Sequence, residues 1–334
     1  MDPKKKEEFF NIPAEPFIGE PGDKRGYICK RRDSFLTVWN VTVNGIKKGR
    51  PVDIGMTSDF HLDYLNARDF AEQNPAVMSS SRYREWQRGG KSIGNVIRAL
   101  DFCAHTDQTV VCGDNLDYFT HGALECMEKY VLHPYPEALI ALGGHDVLCC
   151  MQGKVEDRMP IGEKKKRLSA VWNNDLEYCS RIIADRVMII VMNNDQGIYT
   201  IDQCEKIERD MIRAKENEYT VFIFQHEPMS TGNPADTNVP FLRTIWENGA
   251  HDFYAHFAGS GESSKETMRM YKCITQNADV VKGVFCGHLH NEVYTEILAS
   301  EAMSDGTIKK TVIPQYVVTS NAYENGAVMH IRVL

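Results

Sequence analysis

The chain has 334 residues, with 38 lysines and arginines against 46 aspartates and glutamates, and is 43% hydrophobic. At roughly 100–200 residues per domain this allows two domains or one large α/β domain with insertions. Aromatic content of 10% with no sequence period excludes collagen-like, coiled-coil and disordered chains. A net charge of −8 argues against a general nucleic-acid binder, although bound cations can still reverse the local sign for a phosphate substrate.

Residues 1–26 are polar and broken by Pro13, Pro16 and Pro21, and they read as an arm ahead of a single domain over 27–334. Met1 to Glu8 carries charge without the apolar stretch of a secretory signal. The longest apolar run, Val187 to Met192, is too short for a membrane span. Ten cysteines without a CxxC pair, among them Cys112, Cys149, Cys150 and Cys286 beside apolar runs, read as buried thiols of a cytoplasmic protein.

From Tyr27 onward short β-branched runs alternate with amphipathic stretches, as in α/β chains. Strands are expected at 35–43, 52–57, 108–112, 138–142, 186–192, 219–225, 280–286, 292–298, 311–319 and 327–333. Asn325-Gly326 predicts a hairpin turn before the last of them. Over 91–104 the residues Ile93, Val96, Ile97 and Leu100 predict one apolar helix face. Thr200 and Gln203 predict a capping box for a helix over 200–215. Further helices are expected at 119–131, 163–173 and 264–276. The stretches 62–90 and 227–262 are polar, Gly- and Ser-containing, and read as loop insertions.

The chemistry lies just past the strands. Ser58-Asp59-Phe60-His61 follows 52–57, Gly113-Asp114-Asn115-Leu116-Asp117 follows 108–112, and Gly143-Gly144-His145-Asp146 follows 138–142. The run 219–225 delivers His226, and 280–286 delivers Gly287-His288-Leu289-His290. The carboxyl ends of strands line the ligand crevice of open α/β sheets, so these residues can converge. Oxygen and imidazole donors without thiolate suit Mn, Fe, Zn or Co. The set exceeds the needs of one ion, and two divalent metal ions about 3.5–4 Å apart would share it through a bridging carboxylate.

This ordered series of Asp-x-His, Gly-Asp-x-x-Asp, Gly-x-His-Asp, a strand-end His and Gly-His-x-His resembles the calcineurin-like metallophosphoesterases, over roughly residues 50–300. The resemblance implies an α/β fold of two mixed sheets packed face to face, with helices outside. It implies Asp59, His61 and His290 on a first metal, His226 and His288 on a second, and Asp114 bridging. His145 would face the phosphate, with Asp146 orienting it. The implied reaction is hydrolysis of a small phosphomonoester or phosphodiester by in-line attack of metal-bound hydroxide, with neither nucleic acid nor membrane as partner. In one respect the chain departs from the family: Gly144 stands where an asparagine normally supplies a ligand to the second metal. That leaves the position to water or to Asn115 and predicts a weakened second site. The alternative reading is a non-catalytic scaffold that has lost a ligand.

Other residues read more plainly. Asp117 is expected to buttress a loop or a histidine. His251 and His256 read as loop residues, Arg82, Arg84, Arg88 and Lys91 as a solvated face, and Lys164-Lys165-Lys166-Arg167 as a charged helix surface.

Overall fold

The computed structural model describes residues 36–44, 49–72, 92–148, 159–195, 198–229, 231, 264–302, 306–322 and 325–334. The expected arm, most of both loop insertions, and with them His251, His256, Arg82, Arg84, Arg88 and Lys91, lie outside the described residues.

Eleven strands are described: β1 Leu36–Val43, β2 Val52–Thr57, β3 Gln108–Cys112, β4 Leu139–Ala141, β5 Tyr178–Ile183, β6 Val187–Met192, β7 Thr220–Gln225, β8 Val281–Cys286, β9 Val293–Ala302, β10 Ile308–Val317 and β11 Gly326–Val333. They form a five-stranded sheet in the order β1-β11-β2-β3-β4 and a six-stranded sheet in the order β5-β6-β7-β8-β10-β9. Both are mixed: β2, β3 and β4 run parallel while β11 opposes β2. In the larger sheet β6, β7, β8 and β10 run parallel, with β5 and β9 antiparallel at its edges. The helices are α1 Ala67–Glu72, α2 Ser92–Cys103, α3 His121–Met127, α4 Ile161–Ser169, α5 Ile201–Glu216 and α6 Lys265–Thr275.

The packing explains the hydrophobic runs. Val187, Ile189 and Val191 of β6 face the other sheet, meeting a cluster that includes Ile54, Met56, Val110 and Met329. Met188, Ile190 and Met192 of the same strand pack instead with Cys204, Ile207 and Met211 of α5 and Met270 and Ile274 of α6. A strand covered on both faces carries apolar side chains at every position, which is why β6 reads as a continuous run. On the far side, Val111, Ile140 and Leu142 meet Val96 and Leu100 of α2 and Met127 of α3. The result is the helix–sheet–sheet–helix sandwich that the family resemblance implies.

Several local expectations shift. The turn at Asn325-Gly326 closes no hairpin: β10 ends in the six-stranded sheet, and β11 lies in the other, paired with β1 and β2. The strand β5 escaped sequence reading because it is an edge strand, with Ser180 and Arg181 interrupting its apolar pattern and Arg181 reaching Gln108 Oε1 at 3.0 Å. The buried stripe of α2 holds Val96, Ala99, Leu100 and Cys103, leaving Ile93 and Ile97 half-buried. Gly55 is the reason, since a Cβ there would stand 2.7 Å from Cys103 Cα; its absence lets the small-residue side of α2 sit on the sheet. Lys164 is not surface charge. It is buried in α4 and donates from Nζ to Val147 O at 2.8 Å, under the turn that carries His145. The capping box at Thr200 and Gln203 forms as expected.

Asp69 of α1 ties the segment after β2 to α3. Its buried carboxylate accepts from His121 N at 2.7 Å, Gly122 N at 2.8 Å and Asn66 N at 2.9 Å. His121 N and Gly122 N are orphan donors at the start of α3, which also has Thr120 as its N-cap, while Asn66 N lies just ahead of α1. Asp69→Ala is expected to lower stability by about 2–4 kcal/mol in urea unfolding, since two buried N–H groups and the half-buried Asn66 N–H lose a charged acceptor.

Candidate metal centre

The carboxyl ends of β2, β3, β4, β7 and β8 meet at one rim of the sandwich. The chain past β2 stays paired to the chain past β3, with Asp59 N donating to Gly113 O at 3.1 Å and His61 N to Asp114 O at 2.9 Å. Across the sheets, Cys112 O accepts from His226 Nδ1 at 2.7 Å, and within the larger sheet Gly287 N donates to His226 O at 3.0 Å. Glycine makes this approach possible. A Cβ at Gly113, whose φ is +83°, would stand 2.7 Å from the His226 ring, and one at Gly287 would overlap Ser58 and Asp59.

Asp59, His61, Asp114, His288 and His290 all hold positive φ, between 44° and 71°. The left-handed region is unfavourable for such residues and persists only where surroundings impose it. The imposing contacts are visible. Ser320 Oγ and Asn321 N donate to Asp59 O at 2.9 and 3.1 Å, and Thr319 Oγ1 donates to His290 O at 2.8 Å. Buried Asn321 further donates to Thr57 Oγ1 at 2.7 Å and Ser58 O at 3.0 Å. Sequence reasoning passed over Thr319-Ser320-Asn321; the available signal was that they follow β10, which runs parallel to β8 and so ends at the same rim.

The donor atoms converge in two groups that share Asp114. In the first, donor atoms of Asp59, His61, Asp114 and His290 all lie within 4.8 Å of one another; in the second, those of Asp114, His226 and His288 do. His61 Nε2 lies 2.8 Å from His290 Nε2 and 3.6 Å from Asp114 Oδ2, and His290 Nε2 lies 3.2 Å from Asp59 Oδ1. His226 Nε2 is 3.1 Å from Asp114 Oδ2 and 3.2 Å from His288 Nδ1. Ligands bound about 2.0–2.2 Å from one ion stand about 3.0–3.5 Å apart, so these spacings are those a divalent cation asks for.

The charges point the same way. Burial opposes ionisation of Asp59, yet hydrogen bonds from His290 and His61 hold its carboxyl well below the ordinary range. Asp114 is likewise lowered against burial, by His226 and His145. Against burial, Asp117 and Asp59 raise His61, and Asp114 raises His226. His288 is pushed down to about 3 by burial and by His226, leaving a neutral imidazole with a lone pair to donate. Two buried anions therefore draw positive charge onto neighbouring rings, and this donor set fits divalent cations.

His145 sits at the edge of the site, its side chain 22% exposed, with its ring centroid 4.8 Å from that of His61. Its Nδ1 lies 2.8 Å from Asp117 O and so donates to that carbonyl. Asp146 does not orient it, contrary to expectation. That carboxylate turns inward, accepting from Leu116 N at 2.7 Å, Gly143 N at 2.8 Å and Asn115 Nδ2 at 3.0 Å. Burial, then the Asp114 charge, push it up to about 7. Its place one residue after His145, on a short 3₁₀ turn over Gly144–Asp146, directs the two side chains apart. Asn115 Nδ2 is committed there too, donating to Ala141 O at 3.1 Å as well, while its buried Oδ1 has no hydrogen-bond partner among the described residues. Asp117 does the orienting instead, since its Oδ1 also lies 2.9 Å from His61 Nδ1.

No protein-family model matches the chain, and no curated protein matches it. Among solved structures, it is similar to a dimetal phosphatase from Danio rerio at 10% identity, over 82% of this chain and 89% of that one, with a TM-score of 0.45. Among the described residues no helix is long and apolar enough to cross a membrane.

Asp117→Asn is expected to weaken divalent-cation binding about 10–100-fold, because it loosens His61 from behind. Calorimetric titration with Mn²⁺ checks this, and the thermal midpoint should move far less than after Asp69→Ala.

Proposed function

We propose that the chain is a metal-dependent phosphoesterase acting on a small phosphomonoester or phosphodiester. One observation carries this reading: two His/Asp groups converge at the rim of the sandwich and share a single carboxylate, Asp114. Asp59, His61, Asp114 and His290 would hold one divalent cation, and Asp114, His226 and His288 a second. When bound, such a pair supplies Lewis acidity toward the phosphoryl oxygens and lowers the pKa of water toward about 7.

The protein's own groups do the rest. Asp59 and Asp114, held ionised, fix the charge of the site, and the His288 ring, pushed down by burial and by His226, stays neutral and able to donate to a cation. Ser320 Oγ, Thr319 Oγ1 and Asn321 N keep the loops that present these residues from relaxing. His145 has its Nδ1 proton committed to Asp117 O, so Nε2 is the nitrogen left to face a phosphoryl group. Burial pushes its pKa down, so the ring acts as an acid only as the imidazolium, whose Nε2 proton it then gives up readily to the leaving oxygen. Asp117 serves as the positioning residue for both His61 and His145.

The test is hydrolysis of p-nitrophenyl phosphate and bis-p-nitrophenyl phosphate with Mn²⁺, alongside measurement of bound metal. Turnover abolished by chelator and restored by Mn²⁺ is expected. Asp114→Asn should remove bound metal and reduce turnover at least about 10³-fold, as it withdraws the ligand common to both ions. His145→Ala should leave bound metal unchanged and lower kcat about 10²–10⁴-fold. Failure of the wild type to bind metal or turn over either ester overturns the reading and favours the non-catalytic scaffold.

A further inference from the structure

One acidic side chain near the site has no part in the account above. Asp195 lies three residues past β6, whose last residue, Met192, pairs with Gln225 just before His226. The connecting residues lock it to that strand end. Asn194 Nδ2 donates to Glu227 O at 2.7 Å while its Oδ1 accepts from Glu227 N at 3.0 Å, and Asn193 Oδ1 accepts from Asp195 N at 3.0 Å. Asp195 is thereby fixed beside the segment that presents His226.

Its carboxylate lies against Gly144. A Cβ built there would stand 2.7 Å from Asp195 Oδ1, and the Gly144 φ is not in the left-handed region, so backbone conformation does not require glycine. The neighbour that a side chain at 144 would meet is the Asp195 carboxylate, which would have to turn aside. The preceding glycine behaves alike, for a Cβ at Gly143 would overlap the Asp114 carboxylate. Two successive glycines thus make room for two carboxylates, one of them the shared ligand.

The two groups of donors are unequal, four residues in the first and three in the second. Divalent cations of this type take four to six ligands. Resting on the proposed function, we propose that Asp195 is the additional protein ligand of the second cation, reaching it over Gly144. Its oxygen stands outside the 4.8 Å group of Asp114, His226 and His288, so ligation requires the carboxylate to turn from Gly144 toward that group. An anionic oxygen then takes the place of the neutral amide expected at 144. The second site is strengthened rather than weakened, with preference for oxygen-seeking ions such as Mn²⁺.

The experiment uses the full chain, stripped with chelator and titrated with Mn²⁺ by calorimetry, with bound manganese counted after gel filtration. The wild type is expected to hold two ions. Asp195→Ala should keep the first at unchanged affinity and weaken the second at least tenfold, with an unchanged circular dichroism spectrum. The double variant Gly144→Asn with Asp195→Ala should recover the second ion, since the asparagine enters the vacated space. If Asp195→Ala holds both ions at wild-type affinity, Asp195 is not a ligand and the phosphoesterase reading stands. If the wild type holds none, both readings fall.

Discussion

Two carboxylates, Asp59 and Asp114, are buried within 4.8 Å of each other in one cluster, and the local structure answers to that repulsion. Buried like charges are expensive unless positive charge or donors surround them. Here the surrounding groups are imidazoles, His61 from the same loop as Asp59 and His226 and His290 from two further loops, each within 3.8 Å of one carboxylate or the other. Backbone donors from His145 and His288 add to the compensation. His61 and His226, raised by these carboxylates, carry the compensating charge, which a bound divalent cation would displace.

Such a cluster needs a rigid support, and the strained backbone shows where it is applied. Five of the six residues in the two donor groups sit in left-handed conformations, at the ends of strands that are themselves sealed between helices and the opposite sheet. Regular hydrogen bonding is unavailable past a strand end, so side chains supply it: Ser58 to Cys112 O, Ser320 to Asp59 O, Thr319 to His290 O. The packing energy of the sandwich maintains a geometry that none of these loops would hold alone.

Glycine determines how closely the parts meet. Gly113 and Gly287 let loops from opposite sheets touch, and Gly143 admits the Asp114 carboxylate. At each of these positions one methyl group would displace a ligand or its neighbour. Gly144 belongs to this group, although its sequence context reads as the loss of a ligand. It borders an acidic side chain from a different strand, Asp195.

The amino-acid sequence by itself determined much of this protein. Periodicity and β-branched runs placed ten of the strands, because core strands buried on both faces must be apolar throughout. The Asp and His residues at five strand ends were legible because chemistry-bearing residues next to glycine break the apolar pattern. Tertiary structure alone decided the rest. Edge strand β5 and the crossing of β11 into the other sheet depend on partners distant in sequence. That Asp117, not Asp146, holds His145, and that Asp195 borders Gly144, follow from loop paths past the strand ends. Local sequence records what each strand delivers. Only the packing of the two sheets fixes which delivered groups face one another, since that depends on register and twist summed over the whole sandwich.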